Sequence, residues 1–233
     1  MQISTDMMVR IAHADLALHM AFPRTIDRWQ RDEAGARPWK VEAGNCPAVV
    51  PGKNEGIIID GNCSSGVSAP DGGIVHIYGD LGSRIDASGH YEIVITGDVL
   101  PDARIEASGF CDIFVGGRFS GELCSADSTK LWIDSDFDGT VRTGNPSTEL
   151  HIGGDCTGTI VPSETGALLW LSVGGFASDA LLSAIVKCEY TQFNASIARS
   201  DVPPGIYPEK GHRKKSSGKN SFNRWCVRSQ HRT

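Results

Sequence analysis

The chain has 233 residues, with 22 basic and 28 acidic side chains, a formal net charge of −6, and 40% apolar content. Glycine is the outlier at 27 residues. That is too many for an ordinary helical protein, and collagen's three-residue period is missing. No apolar run of about 18 residues exists, so the sequence offers no membrane-spanning helix.

The first predicted element is a helix. Met7, Ile11, Ala14, Leu18 and Phe22 share one face of residues 3–22, with Asp6 near the start and Pro23 as terminator. Charges at Asp6, Arg10 and Asp15 leave no signal-peptide core, so a cytoplasmic location is expected. Residues 24–55 are rich in glycine and proline and include Trp29 and Trp39. Residues 1–55 together read as an N-terminal cap carrying an amphipathic helix, because a solenoid left open exposes its core and strand edges.

An internal repeat follows. Small residues recur at Gly61, Gly79, Gly97, Gly117, Ser135, Gly154 and Gly175, in steps of 18, 18, 20, 18, 19 and 21 residues. Four before each stand Ile57, Val75, Ile93, Ile113, Leu131, Leu150 and Leu171. Two before stand Ile59, Ile77, Ile95, Val115, Ile133, Ile152 and Val173. Two after stand Cys63, Leu81, Val99, Phe119, Phe137, Cys156 and Ala177. All 21 positions are apolar. Period-two alternation means strands with one buried face, and a coil this short buries that face only by stacking on its neighbours. Glycine at the corners is expected to permit positive φ. Two extra residues near Pro101–Asp102 fit an insertion absorbed in one corner.

Within a coil the signature runs Ile77-Tyr-Gly-Asp-Leu81-Gly-Ser-Arg-Ile85-Asp-Ala87, and again Ile152-Gly-Gly-Asp-Cys156-Thr-Gly158-Thr-Ile160. Over residues 56–177 this resembles the bactofilins, bacterial cytoskeletal proteins that polymerise and are built on a right-handed parallel β-helix. It is more loosely similar to the glycine-repeat β-helix of glutamate synthase large subunits. Unlike bactofilins, which have short tails, this chain carries roughly 55 residues on each side of the coils. The expected fold is all-β. It is a right-handed parallel β-helix of about seven coils of 18–21 residues, with short helical or irregular caps at both ends. A left-handed hexapeptide helix, as in acyltransferases, is the other solenoid suggested by the six-residue spacing of Val75, Leu81, Ala87 and Ile93.

After the coils, Ser178 or Asp179 can N-cap a short helix carrying Leu181, Leu182, Ile185 and Val186. Residues 188–198 have strand character, and 178–208 form the expected second cap. Residues 209–233 read as a basic, flexible tail. The charge divides sharply. Residues 56–175 hold five basic and 17 acidic side chains, a net of −12, whereas 201–233 hold eight basic and two acidic, a net of +6.

Three features are candidate sites. Ile58, His76, Val94, Phe114, Trp132 and His151 stand three before the corners, on the outward side. Such a mostly apolar stripe is expected to be covered by the chain itself or to form an oligomer or partner interface. Asp80, Asp98, Asp136 and Asp155 form an acidic column one after the corners, interrupted by Arg118 and begun by Asn62. It reads as a solvated turn, a cation site or a mimic of phosphate charge. Arg213, Lys214, Lys215, Lys219, Arg224 and Arg228 make the tail the one segment suited to nucleic acid or to an acidic partner.

Catalytic signals are sparse. No nucleophile elbow, P-loop or HExxH occurs, and His76 and His151 lie four coils apart. Cys111 has only His90, one coil away, as a candidate partner. Seven cysteines without a CxxC pair suggest reduced thiols, and neither a metal nor a cofactor is expected. The function expected is non-enzymatic association with a protein partner or with further copies. The alternatives are an acidic protein that sequesters a basic or nucleic-acid-binding partner, and a β-helix enzyme acting on acyl or sugar substrates.

Overall fold

The computed structural model describes residues 55–178 except 70–71, 144–146 and 162–167. Of the flanks it describes residues 6, 7, 9, 10, 12, 13, 39–44, 48–50, 181, 190–195, 206–208 and 223–228.

Among the described residues, fifteen strands form one sheet wound into a solenoid. The strands are β1 (Trp39–Ala43), β2 (Gly56–Asp60), β3 (Val67–Ala69), β4 (Gly73–Ile77), β5 (Arg84–Ile95), β6 (Arg104–Val115), β7 (Glu122–Ser125) and β8 (Thr129–Ile133). They continue as β9 (Thr140–Arg142), β10 (Ser147–Ile152), β11 (Thr159–Val161), β12 (Leu168–Val173), β13 (Tyr190–Ala195), β14 (Ile206–Pro208) and β15 (Asn223–Arg228). Each coil contributes three hydrogen-bonded stretches. The longest face runs β1-β2-β4-β5-β6-β8-β10-β12-β13, all parallel. A second face stacks β3, β5, β6, β7, β9 and β11. Between them, six parallel bridges link Cys63, Leu81, Val99, Phe119, Phe137, Cys156 and Ala177 in turn, giving six full turns between seven corners.

The parallel β-solenoid expected from the repeat is therefore the fold. All 21 apolar repeat positions are buried. The two extra residues form a turn at Pro101–Asp102, closed by the Ala103 N–H on the Leu100 carbonyl at 2.9 Å, and register resumes at Arg84↔Arg104. β5 and β6 run on from one face to the next through Gly89 and Gly109, whose φ values are 96° and 111°. Two coils thus turn this corner without breaking the ladder, which only glycine permits in that backbone region.

At the other corners glycine has a different cause. Among the six corner glycines, only Gly61 lies at positive φ. At Gly79, Gly97, Gly117, Gly154 and Gly175 a Cβ would run into the backbone and the side-chain oxygen of Asn62, Asp80, Asp98, Asp136 or Asp155 in the preceding coil. The expected φ rule is corrected to a rule of close approach.

Both ends differ from short helical or irregular caps in also carrying strands. β1 adds a rung before the first predicted coil, and Val49 bridges Val67 in the same extra turn. Beyond β12, β13 adds another parallel rung, and β15 then pairs with β13 antiparallel, with β14 on its far side. The backbone of a terminal rung needs partners, and further strands supply them where a helix cannot. Arg224 and Arg228 of the basic segment lie in β15, opposite Asn194 and Tyr190. Arg213, Lys214, Lys215 and Lys219 lie outside the described residues, as do Leu182, Ile185 and Val186. Ser178 does cap the turn that follows it: its Oγ accepts the Leu181 N–H at 3.3 Å, and Leu181 is fully buried. Among the described residues, no helix is long and apolar enough to cross a membrane.

Candidate interaction site

Strand pairing places the outward residues of the long face in one column: Ile58, His76, Val94, Phe114, Trp132, His151 and Ser172 are successive register partners. Their exposure is graded along the solenoid. Ile58, His76 and Val94 are fully buried, Phe114 is 7% exposed, and Trp132 and His151 are half-buried. Trp170, opposite Glu149 on the next rung, is 45% exposed.

At the buried end, helical residues of the N-terminal segment lie on this face. Met7 is buried, and Arg10 donates to Asp60 Oδ1 at 2.7 Å while its guanidinium stands 5.9 Å from the centre of the Tyr78 ring. Asp60 and Tyr78 each follow a stripe residue by two places, so they share its outward face. His76 Nδ1 lies 3.4 Å from the Tyr78 hydroxyl. Burial lowers the His76 pKa from 6.5 to about 4.

At the open end the side chains form a platform. The Trp132 and His151 rings stack with centroids 4.8 Å apart and planes 26° from parallel. Trp132 Nε1 donates to Asp134 at 2.7 Å, and His151 Nε2 lies 2.9 Å from Glu149. Two carboxylates therefore hold the rings in place and edge the platform with negative charge.

The acidic column is a backbone cap. The Asn62 side-chain oxygen accepts the Asp80 N–H, Asp80 that of Asp98, Asp98 that of Arg118, Asp136 that of Asp155, and Asp155 that of Phe176, all at 2.7–2.9 Å. In five of the six steps a coil thus satisfies a turn donor of the next. Asn62 does this without charge, so the acceptor oxygen matters more than the carboxylate. Arg118 cannot accept, and the corner one coil later is Ser135, where no carboxylate stands in the way of a Cβ. Arg118 instead donates to Asp136 at 3.0 Å and reaches Asp138 at 3.7 Å. The Asp155 N–H, and secondarily Arg118, hold the Asp136 carboxyl below its ordinary range. Asp98→Asn is expected to leave the melting temperature unchanged, while Asp98→Ala lowers it by a few degrees, as measured by circular dichroism.

The second face carries a charge ladder. Arg84 pairs with Asp86, Arg104 with Glu106 and Glu122, and Arg142 with Glu122. The hydrogen bond from Arg142 is the main reason the Glu122 carboxyl sits below its usual range. Asp86 and Glu106 also edge a shallow groove of about 360 Å³ floored by Ala87 and Ala107. Their charge is balanced locally, so this face does not present the uncompensated carboxylates that phosphate mimicry needs.

The remaining titratable candidates are dispersed. Cys111 faces the core and pairs in register with Tyr91, whereas His90 is exposed and packs on Phe110 at 5.0 Å. Burial pushes the Cys111 and Cys156 thiols up to about 12, which leaves them poor nucleophiles at neutral pH. Among the described residues, no three His, Cys, Asp or Glu side chains are grouped to hold a metal ion. No family model, curated protein or solved structure matches the chain.

Proposed function

We propose that this solenoid acts without catalysis, by associating with a protein partner through the open end of its long outward face. The observation that supports this is the platform of Trp132, His151 and Trp170 on three consecutive rungs. Large aromatic side chains are enriched at interface centres, where rigid rings bury much area at small entropic cost. The core does not require them there, since all three project from the outward side, and Trp170 is 45% exposed. Asp134 and Glu149 at the rim, on coils with a net charge of −12 over residues 56–175, favour a partner whose apolar contact strip is flanked by basic side chains. The resemblance to bactofilins rests on the coil signature alone, and filament formation forms no part of this reading.

The test is differential capture. A protein retained by the immobilised chain should be lost with Trp132→Asp/Trp170→Asp and kept with Asp80→Asn. Once purified, it should bind the wild-type chain at least about tenfold more tightly than the double variant. Equal retention by the wild type and the platform variant would overturn the proposal.

A further inference from the structure

The first rung has an unusual composition for its place. In β1, Lys40 is the register partner of Ile57 and Glu42 that of Ile59, so both charged residues occupy core-facing positions. They pair with each other at 3.2 Å and stay about one-third exposed at the end of the core. Val41 falls on the outward side, in register with Ile58.

The hydrogen bonding of β1 has a definite sense. The Gly44 N–H donates to the Asp60 carbonyl at 3.1 Å, so the even-numbered residues of this strand direct their backbone groups at β2. Trp39, Val41 and Ala43 then direct theirs away from it, because these groups alternate along a strand. Among the described residues, β2 is the only strand paired with β1.

We infer that this edge pairs with the β1 edge of a second copy of the chain, antiparallel, about a twofold axis through Val41. Three facts converge on that register. The residues whose N–H and C=O point outward, 39, 41 and 43, are symmetric about Val41. Antiparallel pairing there makes Val41–Val41 and two Trp39–Ala43 pairs the hydrogen-bonded ones, giving about six backbone hydrogen bonds. The same axis sets Lys40 of each copy opposite Glu42 of the other in non-hydrogen-bonded pairs, where side chains approach most closely and opposite charges stabilise. The charge sequence Lys-Val-Glu is thus complementary to itself. A parallel rung stacked on β1 would instead set apolar core residues against both charges. The contact is isologous, so it closes as a dimer and does not propagate.

Sedimentation of the full-length chain over a range of concentrations tests this. The wild type should form a dimer that weakens as salt is raised. Val41→Pro removes an outward N–H while sparing the bonds to β2, and should give a folded monomer whose melting, unlike that of the wild type, does not depend on concentration. Lys40→Glu faces Glu42 across the axis and should weaken the dimer at least about tenfold, and Lys40→Glu/Glu42→Lys should restore it. A wild type that stays monomeric overturns the inference. So does a dimer indifferent to both Val41→Pro and Lys40→Glu, or one dissociated by Trp132→Asp/Trp170→Asp. Partner capture through the platform is independent, since Val41→Pro leaves it intact.

Discussion

Phe137→Ala is expected to cost about 3–5 kcal/mol of folding stability, the range for removing a fully buried aromatic ring. Phe137 and Phe119 are both completely buried, on adjacent coils, with ring centroids 5.8 Å apart. Room for each ring is made by a glycine one coil later. A Cβ on Gly158 would stand 2.5 Å from the Phe137 ring, and one on Gly139 would stand 3.0 Å from the Phe119 ring. The truncated site cannot collapse, because the ladder fixes the coil spacing on both sides through the bridges Phe119↔Phe137 and Phe137↔Cys156. The loss should appear in equilibrium urea denaturation as a lower midpoint at an unchanged slope. A change below about 1 kcal/mol would mean that the corner residues are not packed as a continuous column.

The second large effect is a pH dependence that His76 confers. Its pKa of about 4 lies below the ordinary 6.5, because burial on the outward face penalises the charged form. The unfolded chain therefore binds a proton as pH falls through 6.5 while the folded chain does not. The favourable contribution of neutral His76 is full above 6.5, and is lost progressively until the folded group itself protonates near 4. At 1.36 kcal/mol per pK unit the loss from this group is about 2 kcal/mol between about pH 7 and pH 5. Asp60, Tyr78 and Arg10 adjoin the same patch, and the Asp60–Arg10 ion pair is half exposed, so it modulates this only weakly. His76→Phe keeps an aromatic ring at this position and removes the titration. Its denaturation free energy should be flatter than that of the wild type over this window. Parallel pH profiles for the two proteins would show that His76 is not held neutral in the fold.

The solenoid was legible because its evidence is redundant. Twenty-one apolar positions keep phase through seven corners, and every one of them is buried in the structure. What escaped the sequence lies where the repeat is broken or where a distant segment decides the outcome. β1 was hidden because Lys40 and Glu42 replace the apolar pair that defines a coil. The strand character of 188–198 was readable in Tyr190–Ala195, but its place as a further rung depends on pairing with β12. Asn62 was visible as an irregularity in the acidic column, yet it makes the same hydrogen bond between coils as the aspartates, which spacing does not reveal. The outward stripe looked uniform in sequence. It divides into a buried end and a more exposed end, and at the buried end Arg10, 50 places from Asp60 in sequence, reaches Asp60 and Tyr78.

The open end is the part of the molecule on which the functional reading depends, and hydroxyl-radical footprinting tests it most directly. The chain is oxidised alone and then with its purified captured partner, and side-chain modification is read by mass spectrometry. Trp132 and Trp170 are expected to be modified in the free chain and protected in the complex, while Phe110 and Phe176, exposed at 57% and 59% elsewhere on the coils, stay unchanged. Protection of Phe110 or Phe176 with no change at the two tryptophans would contradict the account.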